Sequence, residues 1–104
     1  MSKRKTIEVP PEVIAIMREC EELQSLLLMK HADYGGSVYK NPVLKPALSC
    51  DDALWVRMSD KIERIASLLG GKPDRTGESL RDSVRDLAGY LVLWLAMPEQ
   101  RKDT

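Results

Sequence analysis

The segment ESLRDSVRDLAGYLVLWLAM, residues 78–97, decides how this chain folds. Leu80, Val84, Leu87, Leu91 and Trp94 recur along it at alternating intervals of four and three residues, which marks a buried stripe on an α-helix. A second column, Glu78, Asp82 and Asp86, climbs another side in four-residue steps. At ~100° per residue those carboxylates span only about 80° of the helix surface, so they repel unless a cation stands between them. A divalent metal would serve, and so would basic side chains from a neighbouring helix. Arg81 and Arg85 flank the ladder and Tyr90 stands beside Asp86, so a solvated acidic face is a third reading.

Working outward, the segment reads as a helix from about Thr76, an N-cap residue type, to Met97, where Pro98 ends it. The linker GGKPDR, residues 70–75, separates it from a second helix that starts near Ser49 or Asp51. Leu54, Met58, Ile62, Ile65 and Leu69 form that helix's stripe, and Ser49 with Asp52 suits its N-terminus. Pro10-Pro11 open a first helix running to about residue 33, with Ile16, Cys20, Leu23 and Leu27 on its apolar face and Val13, Met17 and Leu28 widening it. Gly35-Gly36 stop it. Residues 35–50 follow as a long loop, either functional or a short helical turn packed between helices. No segment alternates as a strand does. The expectation is an all-α, three-helix domain over residues 10–97, with a flexible arm at 1–9 and a polar tail at 98–104. Its helices carry more apolar width than three short packings consume, which predicts a bundle completed by oligomerisation.

At 104 residues the chain has room for one core. Sixteen basic and sixteen acidic side chains cancel, which counts against nucleic-acid binding and against an anionic membrane partner. The run LVLWLAM, residues 91–97, is too short to span a bilayer, and no signal-peptide pattern is present, so the reading is a cytoplasmic protein with no membrane. Cys20, Cys50 and the single histidine, His31, do not make a zinc site. Both cysteines read as structural thiols, with Cys20 buried on its apolar face.

Three further groups resist a plain bundle. With Leu54 at zero, Lys61 falls near 340°, inside the apolar sector of its helix, with Arg57 and Arg64 at the edge at about 300° and 280°. An inward lysine needs a carboxylate, a phosphate or a path to water. Glu19 and Glu22 share a side of the first helix, as metal-binding carboxylates would, and Lys30 and Asp33 lie near its end. Mg²⁺ prefers hard oxygen ligands, so carboxylates from two helices would hold it while Lys61, Arg57 and Arg64 faced phosphate charge. A metal-bound water would then attack the α-phosphate and pyrophosphate would leave. Nothing resembles a P-loop, a serine triad or a G-x-G-x-x-G turn.

Three ordered segments resemble a known family. Lys30-His31-Ala32-Asp33-Tyr34-Gly35 resembles the K-x-x-D-Y-G signature of the phage and bacterial nucleotide-modification-associated domain. Asp60-Lys61 with Arg64 resembles its D-K-x-x-R segment, and Glu78-Ser79 through Tyr90 resembles its E-S-x-x-D-x-x-x-D-L-A-x-Y segment. That family is distantly similar to MazG- and dUTPase-type all-α nucleoside triphosphate pyrophosphatases, which are magnesium-dependent oligomers with E-x-x-E on one helix and E-x-x-D on a later one. Glu19 and Glu22 match the first pair, whereas Glu78 and Asp82 carry one extra intervening residue, which turns a side chain by about 100°.

The resemblance implies a nucleotide-binding protein, either a Mg²⁺-dependent pyrophosphohydrolase or an accessory factor in phage nucleotide modification. Glu78, Asp82 and Asp86 would be catalytic and, with Glu19 and Glu22, would hold the metal. Lys30, Asp33, Tyr34, Lys61, Arg64 and Tyr90 would surround the nucleotide in a homo-oligomer. The alternative is a non-catalytic helical binding or assembly protein whose acidic and basic residues form a structural ion-pair network.

Overall fold

The computed structural model describes residues 8–73 and 77–98. They form α1 (Pro11–Tyr34), a 3₁₀ turn at Ser37–Tyr39, α2 (Cys50–Leu69) and α3 (Leu80–Leu95), packed as a small all-helical bundle. Among the described residues no helix is long and apolar enough to cross a membrane.

Local chemistry sets each helix end. Pro11 occupies the first turn of α1, where its missing N–H costs nothing. Gly35 and Gly36 stop that helix at φ values of 60° and 72°, a left-handed conformation open to glycine. Ser49 caps α2 by accepting from the Asp52 N–H at 3.0 Å. The third helix starts at Leu80, later than the sequence suggests, because Ser79 is its N-cap. The Ser79 hydroxyl accepts from the Asp82 N–H at 3.1 Å and the Asp82 carboxylate accepts from the Ser79 N–H at 3.2 Å. Thr76 lies outside the described residues, as do residues 1–7 of the expected arm and 99–104 of the expected tail.

Helices α2 and α3 make the principal contact and run antiparallel: Asp51 meets Trp94, while Arg64 meets Glu78. Leu54, Met58 and Met97 are fully buried between them, ringed by Val38, Tyr39, Leu87, Tyr90 and Trp94. The Trp94 indole N–H donates to Asp51 Oδ1 at 2.9 Å, so the ring's polar edge is satisfied at the core's margin. The 3₁₀ turn is pinned to α3 by the Tyr39 hydroxyl, which donates to the Leu93 carbonyl at 3.0 Å. Asn41 accepts from the Cys50 N–H and donates to the Pro46 carbonyl, tying the 35–50 segment to the start of α2. That segment is therefore partly helical and anchored at both ends.

Helix α1 lies across α3 where Gly89 lets it approach. A Cβ on Gly89 would sit 3.2 Å from Leu27 Cδ2 and 3.7 Å from Leu23 Cδ1. No residue of α1 is buried. Several stripes expected to be core are thus open: Ile16 on α1, Ile62 and Leu69 on α2, and Leu80, Val84 and Leu91 on α3. Cys20 is exposed as well, which corrects the expectation of a buried thiol. The heptad-like spacing does form helices, but the α2–α3 contact uses only one edge of each stripe.

Candidate functional site

The acidic ladder does not act as one group. Lys61 comes from α2 and places its Nζ 2.8 Å from Glu78 Oε1 and 2.9 Å from Asp86 Oδ2. Glu78 also accepts from the buried Ser83 hydroxyl at 3.0 Å, and its backbone carbonyl accepts from Arg64 Nη2 at 3.2 Å. Asp82, the middle rung, turns instead to the Ser79 cap. The sequence reading singles out all of these residues except Ser79, whose capping role it gives to Thr76, and Ser83, whose small size on the packed edge of α3 is the available signal.

The electrostatics follow the contacts. Glu78, then Asp86, holds the Lys61 ammonium far above its ordinary value, and burial only partly opposes them. Lys61 and, secondly, the Ser83 hydroxyl hold the Glu78 carboxyl below its usual range. Asp82 is likewise lowered, chiefly through the Ser79 side chain and then its backbone.

The first-helix carboxylates find a different partner. Arg81 and Arg85 reach from α3 to Glu19, and Arg85 also lies 3.5 Å from Glu22. Arg81 first, and Arg85 second, lower the Glu19 carboxyl. The two arginines thus bridge α3 to α1 and leave the ladder to Lys61. Glu19 and Glu22 do not meet Glu78, Asp82 or Asp86 around a common point: among the described residues no group of three or more His, Cys, Asp or Glu side chains could hold a metal. The residues present do not fit Mg²⁺, because an ammonium occupies the position between Glu78 and Asp86 that the ion would need.

Three other sequence candidates, with Asp86, share one feature. Lys30, Tyr34, Asp86 and Tyr90 line a cavity of about 300 Å³ where the three helices meet, together with Arg57, Arg85 and His31. Asp33 does not line it, and neither Lys61 nor Arg64 does. The sequence does not point to Arg85 or His31 as site residues, since their place depends on how α1 crosses α3. A second, more apolar hollow of about 510 Å³ lies between α1 and α3, lined by Cys20, Gln24, Leu28, Val92 and Ala96 among others.

No family model matches the chain, and neither a curated protein nor a solved structure matches it. The characterisation as a phage nucleotide-modification protein and a pyrophosphatase-like magnesium enzyme, drawn through the family resemblance, is corrected accordingly: no relative supports it, and no metal-holding cluster is formed among the described residues. No relative supports the homo-oligomer that the apolar width of the helices suggests.

Proposed function

We propose that this chain is a non-catalytic helical binding or assembly module, in which the acidic ladder serves as a structural ion-pair network. What carries this reading is that each of the five carboxylates expected to hold the metal has a structural occupation. Glu78 and Asp86 share Lys61, Asp82 caps α3, and Glu19 and Glu22 clamp α1 through Arg81 and Arg85. Carboxylates engaged by fixed cations and backbone N–H groups are poorly placed to coordinate an ion or to shuttle protons.

The test is thermal unfolding with 5 mM or so of MgCl₂ against the same concentration of chelator. The expected melting temperatures coincide within about 1 °C, whereas an ion held by the ladder would raise the value by several degrees. A magnesium-dependent rise abolished by Asp86→Asn would overturn the proposal.

The finer architecture, a bundle completed by a second copy, is carried only by the chain's own surface. Trp55, Ile62 and Leu69 of α2 and Leu80, Val84, Leu91 and Leu95 of α3 are all exposed. Exposed large apolar side chains on two packed helices are the kind of surface that a partner helix covers, and a stable interface takes about 800 Å² from each partner. Sedimentation equilibrium should report a mass above that of one chain, falling to one chain on joint Ile62→Lys and Leu91→Lys substitution. A wild-type monomer at high micromolar concentration would refute it. Two free cysteines fit a reducing, cytoplasmic setting.

A further inference from the structure

We infer that the cavity at the junction of the three helices is a metal-independent site for a small organic anion, with a phosphate or carboxylate head on an apolar body. The argument starts from its charges. Each helix contributes one permanent cation to the lining: Lys30 from α1, Arg57 from α2 and Arg85 from α3. Arg85 is shared with Glu19 and Glu22. Among the described residues Lys30 and Arg57 have no carboxylate partner, although each lies beside a concave surface. The one carboxylate in the lining, Asp86, already belongs to Lys61. The walls therefore present an uncancelled positive charge, and low-dielectric surroundings concentrate its field within the cleft.

The remaining lining supplies the second half of the recognition. Leu23, Leu26, Leu27 and Leu93 form an apolar floor, and the rings of Tyr34 and Tyr90 stand at the same cavity. A volume of about 300 Å³ admits one ring or a short branched chain, at the lower end of small-molecule sites. Guanidinium groups such as those of Arg57 and Arg85 match the paired oxygens of phosphate and carboxylate alike, which is why the two heads share one chemistry. The inference rests on the structural role of Lys61 in one respect, that Asp86 does not cancel a cation of the cavity.

The test titrates the full chain with phenyl phosphate, phenylacetate and the uncharged benzyl alcohol, following backbone amides by two-dimensional NMR. At least one anion should produce saturable shifts centred on Gly36, Gly89 and Tyr90, with benzyl alcohol far weaker, and the tighter anion identifies the preferred head. Arg57→Gln and Lys30→Gln should each weaken that anion about ten-fold. Both residues are exposed, so melting temperatures should remain unchanged. Arg18→Gln, on α1 away from the cavity lining, should leave the affinity unaltered. Equal binding of benzyl alcohol, shifts centred elsewhere, or no saturation with either anion would overturn the inference. The ion-pair reading is judged separately, by melting with and without Mg²⁺, so either can fail alone.

Discussion

Leu54→Ala should cost about 3–5 kcal/mol of folding stability and leave little folded protein at 37 °C. Leu54 is 0% exposed, and among the described residues the buried hydrophobic set comprises it, Met58 and Met97. Truncation removes its transfer free energy and opens a cavity between two helices that are held apart by neighbouring side chains. In a chain with so small a core, few other contacts offset that loss. Urea unfolding followed by far-UV circular dichroism measures it. Ile62→Ala, at a position 55% exposed, should cost no more than about 1 kcal/mol. Equal costs at the two positions would mean that the α2–α3 contact has been assigned to the wrong edge of α2.

Lys61→Met should destabilise the fold by about 2 kcal/mol, a drop of roughly 10 °C in melting temperature. The thioether replaces the apolar stem but leaves Glu78 and Asp86 facing each other without the ammonium they share. Lys61→Arg should recover part of the loss. The pH dependence carries a sign that can be checked. The Glu78 carboxyl is lowered from 4.5, so its contribution is present above that value and is lost as pH falls through the lowered one. Lys61 is raised from 10.5, so its contribution is full below that value and is lost only as pH rises through the raised one. Wild type should weaken on both flanks. Lys61→Met should lose the alkaline flank due to this lysine and gain relative stability on mild acidification, as protonation relieves the facing carboxylates. An unchanged acid profile in the variant would show that the network contributes nothing.

The inward angle of Lys61 was legible because an ammonium within an apolar sector needs a counter-charge wherever the helix packs. Which of the three rungs would supply it was not. Glu78 and Asp86 are taken by Lys61, while Asp82 is withdrawn by a capping box whose position depended on the helix starting at Leu80. Similarly, Glu19 and Glu22 look like a ligand pair until α1 is laid across Gly89 and brings them to Arg81 and Arg85. Like spacing can serve metals or salt bridges, and only the neighbouring helix distinguishes them.

Local chemistry in the chain determined the three helices, since periodicity, prolines, paired glycines and Ser49 all act within a few residues of each helix. The cation-needing ladder and the inward lysine were equally local. The tertiary structure decided the rest: which edge of each apolar stripe is covered, which carboxylate meets which cation, and that Lys30, Arg57 and Arg85 reach one cavity. The physical reason is that helix formation depends on residues three or four apart, whereas burial and charge pairing depend on interhelical crossings, and those are set by contacts as distant in sequence as Glu19 and Arg85.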